Sequence, residues 1–88
     1  MEKVYVLSEE FGRDGRFSSS TLAVYKSIEN AKKNLKKFAD LRFSSEMFKP
    51  YKKDEKIIRN DMEFYIQIKV LGENMFFNYQ VEKKELED

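Results

Sequence analysis

The sequence predicts a single α+β domain in which one amphipathic helix packs on one face of an antiparallel sheet. Three observations predict it: two short runs of β-branched and aromatic residues near the N-terminus, apolar residues at helical spacing after Ser27, and alternating apolar residues on both sides of Gly72. The predicted order is ββαββ with four strands. A fifth strand is an alternative in the segment that connects the helix to the second hairpin. With 88 residues and 41% hydrophobic content, residues 1–88 are interpreted as one domain.

The first two strands are predicted at Lys3–Ser8 and Thr21–Lys26. Between them, the Asp14-Gly15 dipeptide favours a type I′ turn, and the serine run at 18–20 favours a loop. We therefore expect a hairpin whose connection, residues 9–20, is long and partly mobile.

The helix is predicted to begin after Ser27, whose hydroxyl can accept a hydrogen bond from a free backbone N–H of the first turn. Its apolar stripe recurs at spacings of three and four, runs to about Ala39 or Leu41, and contains Ile28, Ala31, Leu35 and Phe38. Lysines occupy positions away from this stripe, so the predicted helix has an apolar face and a basic face.

The segment from Arg42 to Asp61, called here the connector, follows neither the helical nor the strand period. Pro50 is expected to interrupt any helix there, because proline lacks the backbone N–H that a helix interior needs. We interpret the segment as a loop anchored by several hydrophobic residues, with a short helix or an edge strand around Lys56–Arg59 as open alternatives.

The last third of the chain predicts a second hairpin. If Gly72 and Glu73 form a two-residue loop, Gly72 takes the first central position of a type II′ turn, where φ is positive. This register places all eight apolar residues on one face, and its pairs are Val70 with Met75, Ile68 with Phe77, Ile66 with Tyr79, and Phe64 with Val81. The charged tail, residues 82–88, is expected to fray.

The composition removes several classes of function. The chain has no His and no Cys, which excludes thiolate nucleophiles, disulfides, zinc fingers and imidazole acid–base chemistry. Gly12 and Gly15 lack the lysine that ends a phosphate-binding loop, and Asn60, Asp61 and Glu63 do not form a recognisable calcium loop. We therefore expect a protein that is not an enzyme, with no catalytic residue, no cofactor and no metal.

No stretch of the sequence approaches the roughly 18 to 20 apolar residues that a membrane helix needs. The first ten residues also lack the apolar core of a secretory signal. A cytoplasmic location and no membrane partner are the expectation.

Charge is unevenly distributed along the chain. Residues 26–59 carry a formal charge of +6, whereas residues 60–88 carry −4. The basic side chains of residues 26–59 either form a solvated surface or bind phosphates or an acidic protein surface. Lysine dominates over arginine, which disfavours bidentate reading of DNA bases. The candidate binding residues of this basic segment, called here the lysine cluster, are Lys32, Lys33, Lys36, Lys37, Lys49, Lys52, Lys53 and Lys56.

A second candidate surface lies on the predicted sheet, opposite the apolar face. Tyr65 and Phe76 are expected there among amide and charged side chains. Such aromatic residues can stack on unpaired bases or anchor a protein interface. In the alternative, the connector folds over this face and buries both of them.

Three segments resemble small uncharacterised proteins of bacteriophages and prophages. They are Val4–Glu10, Leu22–Ser27 and Ile28–Lys32, which match a "VYVLS" strand, a "GVYSS" strand and a helix of the "EEAK" kind. Ala23 replaces the usual glycine of the second strand, and residues 42–61 have no counterpart. The resemblance implies a phage setting, in the cytoplasm of the host cell, where small proteins without active sites bind and block a host factor or a defence nuclease.

Together these observations favour a non-enzymatic, phage-type protein that binds and modulates or inhibits a host or anti-phage defence protein, in the manner of an anti-CRISPR. The alternative is a single-stranded nucleic-acid-binding module that uses the lysine cluster with Tyr65 and Phe76. A homodimer formed through a sheet edge or an open sheet face is a third hypothesis.

Overall fold

The computed structural model describes residues 2–86, and within them the chain is an α+β domain with a five-stranded antiparallel sheet and two helices. The strands are β1 (Glu2–Arg13), β2 (Arg16–Tyr25), β3 (Ile57–Asp61), β4 (Tyr65–Val70) and β5 (Met75–Leu86). The helices are α1 (Ile28–Phe43) and the short α2 (Lys49–Lys53), preceded by a 3₁₀ turn at Glu46–Phe48. The prediction of one helix and four strands was therefore incomplete, and both additions lie in the connector.

The order of strands across the sheet is β2-β1-β5-β4-β3. The first and last strands of the chain pair at its centre, antiparallel along all 12 residues of β1, from Glu2 opposite Leu86 to Arg13 opposite Met75. β2 lies on one side of this central pair, and β4 and β3 lie on the other. β2 and β3 are the edge strands.

The first hairpin corrects the prediction of a long, mobile connection. β1 and β2 continue through residues 9–20 and are joined by a tight turn at Asp14 and Gly15, both with positive φ, as a type I′ turn requires. The serine run, residues 18–20, is paired with Phe11, Glu10 and Glu9 through the backbone ladder. A β-bulge at Leu22, between the pairs Leu7–Ala23 and Ser8–Thr21, interrupts the register.

The predicted helix is confirmed and extends to Phe43. Ser27 is its N-cap, and the Ser27 hydroxyl accepts a hydrogen bond from the Asn30 backbone N–H at 3.3 Å. Its buried positions, Ala31, Leu35 and Ala39, pack on the sheet.

The connector is folded rather than an anchored loop. Pro50 lies in the first turn of α2, where a missing N–H has no cost, so it starts a helix instead of interrupting one. Phe48 is fully buried, with its ring at right angles to that of Phe77 and 5.5 Å from it. Of the two alternatives for the region around Lys56–Arg59, a short helix or an edge strand, the structure shows the edge strand, which is β3.

The second hairpin confirms the predicted register for three of its four pairs, from Val70–Met75 to Ile66–Tyr79. Gly72 has φ of +85°, as expected, but the ladder closes at Val70 and Met75, so four residues form the connection. Phe64 precedes β4 and is partly exposed, although its carbonyl accepts a hydrogen bond from the Val81 N–H at 2.9 Å.

The tail prediction was wrong for residues 82–86, which pair with Glu2–Val6 as the end of β5. Backbone hydrogen bonds to β1 hold this charged segment although its side chains are exposed. Residues 87 and 88 lie outside the described part of the chain. None of the helices within residues 2–86 is long and apolar enough to cross a membrane.

The core lies between α1, the connector and one face of the sheet. Leu7, Ile66 and Phe77 represent its three central strands, and Leu35 and Phe48 its helical side. All of them are at most 3% exposed. The sheet therefore has one covered face.

Candidate functional site

The opposite face of the sheet has no cover among residues 2–86. Because side chains alternate along a strand, the neighbours of the core residues point to this second face. Leu7 is in the core, so Val6 and its partner Val24 lie on the second face, and Ile58 lies there because its neighbour Ile57 packs on the core. We call this surface the open face; its apolar and aromatic residues are Val4, Val6, Phe17, Val24, Ile58, Tyr65, Phe76 and Leu86. The predicted alternative, in which the connector covers Tyr65 and Phe76, is not observed, since Phe48 anchors the connector on the core side.

Several of these side chains are well exposed. Phe17 is 73% exposed, Val24 57% and Ile58 43%. Charges on the face nearly balance, because Lys69 and Lys84 are offset by Glu10 and Glu82. The open face is thus an almost neutral surface of apolar, aromatic and amide side chains.

Phe17 and Phe76 form an aromatic pair over Gly12 at one end of the open face. Gly12 is paired with Phe17 on one side and with Phe76 on the other. The two rings are 6.5 Å apart between centroids. A Cβ atom on Gly12 would lie 2.1 Å from the Phe76 ring, so the ring occupies the space that any larger residue would need. Glycine is required here for close approach.

Tyr65 lies farther along the same face, half-buried, and paired with Gln80. Burial raises the pKa of Tyr65 above its ordinary value, and the charge of Glu10 adds to the effect. Glu10 also accepts a hydrogen bond from Asn78 Nδ2 at 3.1 Å. Tyr65 and Phe76 are about 13 Å apart along the strands, since four residue steps separate their ladder positions.

The structure separates the two predicted site halves. Of the lysine cluster, seven members belong to α1 or α2, and Lys56 follows α2. Both helices lie on the core side of the sheet, whereas Tyr65 and Phe76 lie on the open face. The lysines and the sheet aromatics therefore do not form one continuous surface.

Within the lysine cluster, several members have local partners. Lys32 forms an ion pair with Glu63 at 3.3 Å, Lys49 forms one with Glu46 at 2.9 Å, and Lys52 lies 4.2 Å from the centre of the Phe43 ring. The exposed lysines of α1 line a shallow surface with an exposed leucine; this surface contains Lys33, Lys36, Lys37, Asp40, Leu41 and Ser44. It is a solvated helix face with an apolar centre.

A polar network that the sequence reasoning missed joins β1, β5 and α1. Tyr79 donates a hydrogen bond from its hydroxyl to Glu9 Oε2 at 2.5 Å, and Arg42 Nε donates to the Tyr79 hydroxyl at 3.2 Å. Arg42 also contacts Glu9 at 3.4 Å and lies over the Phe77 ring. Burial raises the pKa of Tyr79 to about 12, and the Glu9 hydrogen bond adds to this effect. The network satisfies a buried phenol at the end of the core.

A second ion cluster ties the edge strand β3 to α1. Arg59 contacts Asp40 at 2.7 Å and Asp61 at 2.7 Å, and it lies over the Phe43 ring. Its side chain is only 17% exposed. The cluster fixes the position of β3 and covers that edge of the sheet with charge.

Two further features concern the hollows and the acidic side chains of the described residues. A surface depression of about 630 Å³ lies at the tip of the first hairpin; it is lined by Phe11, Arg13, Asp14, Arg16, Phe17 and Ser18. Across the described residues, no group of three acidic side chains converges to hold a metal ion. Comparisons with protein-family models, with curated proteins and with solved structures found no match.

Replacement of Gly12 by alanine tests the geometry of the open face. We expect Gly12→Ala to lower the free energy of unfolding by about 1–3 kcal/mol, because the new methyl group displaces the Phe76 ring. In a Phe76→Ala background the same change is expected to be neutral or stabilising, since the space is then free and alanine is less flexible than glycine. Urea denaturation of the four proteins measures both effects. An equal loss in both backgrounds would contradict the contact.

The hydrogen-bond network around Tyr79 should be detectable from the pH dependence of the free energy of unfolding in alkaline solution. The unfolded chain releases the phenolic proton near pH 10, whereas the folded protein holds it to about pH 12. The stability of the folded state is therefore expected to fall as the pH rises from 10 to 12. In Tyr79→Phe this component is absent, so its unfolding midpoint in urea should decline less steeply over the same range. Identical slopes for the two proteins would show that Tyr79 does not titrate as described.

Proposed function

We propose that this chain is a non-enzymatic binding protein that docks a partner protein on its open face. The observation that carries the proposal is an uncovered, nearly neutral sheet face on which Phe17, Val24 and Ile58 are 43–73% exposed. Exposed apolar surface of this kind, with aromatic residues among polar neighbours, is typical of protein interaction sites. The missing His and Cys support binding rather than catalysis.

The size of the face sets the expected strength of binding. The five strands have 5 to 12 residues each, and at about 3.3 Å per residue and 4.8 Å between strands they give an area of roughly 700 Å². A stable interface buries about 800 Å² on each partner. We therefore expect a stable complex to cover nearly the whole open face, and a partner that covers less of it to form a transient complex.

The nucleic-acid alternative has weaker support. Binding of single strands needs stacking aromatic side chains in a positively charged groove. On this molecule Tyr65 and Phe76 lie on the nearly neutral face, and the lysine cluster lies mostly on the other side. This separation favours a protein partner over a single-stranded nucleic acid.

The resemblance to phage and prophage proteins supports a narrower proposal for the partner. In this setting the bound protein is a host protein or an anti-phage defence protein, and binding modulates or inhibits it. The expected consequence is a gain in phage plating efficiency when the chain is expressed in a host with an active defence system.

Charge insertion on the two sides of the molecule distinguishes the surfaces. Val24→Glu and Ile58→Glu each place a carboxylate at an exposed position of the open face. We expect each to weaken the binding of a purified partner, and the gain in plating, by at least tenfold, because a charge would be buried without a partner. The matched control, Lys33→Glu/Lys36→Glu, alters exposed positions of α1 and should change binding less than threefold.

Two outcomes would contradict the proposal. Loss of partner binding only in the lysine variant would place the interface on α1. Tight binding of labelled RNA or single-stranded DNA at low salt, lost in the lysine variant and accompanied by no protein partner, would establish the alternative.

A further inference from the structure

The edge strand β2 presents an unusually unprotected edge. Residues 17–25 contain no charged residue and no proline, in a chain that is 38% charged. Residues 16–21 are all exposed. Natural proteins usually protect such an edge with charges, proline or a covering element, because its free backbone groups can pair with another chain.

The other edge of the same sheet is protected. β3 has five residues, and its Arg59 and Asp61 form the ion cluster with Asp40 of α1. The β-bulge at Leu22 also protects the far end of β2, because a bulge bends a strand away from regular pairing. The unprotected segment is therefore Phe17–Thr21.

The hairpin geometry determines which backbone groups of this segment are free. Arg13 and Arg16 close a two-residue turn, so they form a hydrogen-bonded pair, and hydrogen-bonded and non-hydrogen-bonded pairs alternate from there. Consequently Ser18 and Ser20 direct their backbone groups to β1. Phe17, Ser19 and Thr21 direct theirs outwards.

We propose that β2 pairs with β2 of a second copy of this chain, antiparallel and centred on Ser19. In this register Ser19 lies opposite the Ser19 of the second copy, and Phe17 lies opposite its Thr21. The three residues with free backbone groups then form three hydrogen-bonded pairs. Other centres use fewer of these groups, because the turn at Asp14-Gly15 or the bulge at Leu22 enters the ladder.

The side chains fit a second copy. A twofold axis perpendicular to the sheet relates the two copies and keeps both open faces on the same side of the joined sheet. On that side Phe17 of each copy packs against Thr21 of the other, so the dimer contains two pairs of an aromatic and a β-branched residue. Arg16 lies opposite Leu22, and no charge lies opposite a charge. The serine side chains are small enough to allow close approach on both faces.

The resulting dimer has a continuous sheet that doubles the five strands of one copy and joins the two open faces. This inference goes beyond the proposed function and does not depend on it, because the pairing uses the backbone edge and Phe17 is the only named open-face residue at the contact. The contact is small compared with a stable interface, so we expect a reversible dimer that is populated only at high protein concentration.

Sedimentation velocity over a concentration series tests the pairing. We expect the unmodified chain to shift from monomer towards dimer. Ser19→Lys and Ser19→Glu should each raise the dissociation constant at least tenfold, because like charges then meet at the dyad. An equimolar mixture of the two variants should dimerise again, because opposite charges then meet. Asn60→Lys, which adds the same charge to an exposed position of the other edge strand, should dimerise like the unmodified chain.

Ser19→Pro provides a test without charge. It removes an N–H that points away from β1, so the hairpin should remain folded by circular dichroism while dimerisation is lost. A monomer at every concentration would overturn the proposal, as would a dimer that all Ser19 variants preserve. Failure of the mixed variants to dimerise, after each alone has been disrupted, would overturn the register centred on Ser19.

Discussion

The rest of the structure depends on the antiparallel pairing of β1 with β5. These strands come from the two ends of the chain and pair along 12 residues at the centre of the sheet. On its outer side β1 pairs with β2, and on its outer side β5 pairs with β4. This pairing also determines the faces, because Leu7 opposite Val81 and Phe11 opposite Phe77 place apolar residues on the side that α1 and the connector cover.

One helical layer on five strands produces a molecule with two different sides. The helical side is basic, and its lysines are partly occupied by local ion pairs and by the Phe43 ring. The open face is nearly neutral and carries an exposed aromatic pair at Gly12. A net charge of +1 hides this difference completely. The separation is what makes a protein partner on the sheet a better proposal than a nucleic acid held by lysines and aromatics together.

Local periodicity was sufficient to predict α1 and the register of the second hairpin, because each has one buried face that its own residues define. It failed for Ser18–Ser20 and for residues 82–86, which are held by backbone pairing to distant β1 residues and have polar or charged side chains. The position of Tyr65 and Phe76 opposite the core was predictable from alternation. Their distance from the lysines was not, because it depends on where Phe48 anchors the connector. A buried tyrosine at 79 indicates that a polar partner is needed, but not that Glu9 and Arg42 provide it.

The exposure of the open face in solution is the central claim, and hydroxyl-radical footprinting tests it most directly. Residues of the same type provide the comparison: Phe17 is 73% exposed and Phe48 is fully buried, while Tyr65 is half-buried and Tyr79 is 1% exposed. At protein concentrations where the chain is monomeric, Phe17 should be oxidised at least tenfold faster than Phe48, and Tyr65 several-fold faster than Tyr79. Protection of Phe17 and Tyr65 to the level of Phe48 and Tyr79 would show that the second face is covered, and would contradict this account.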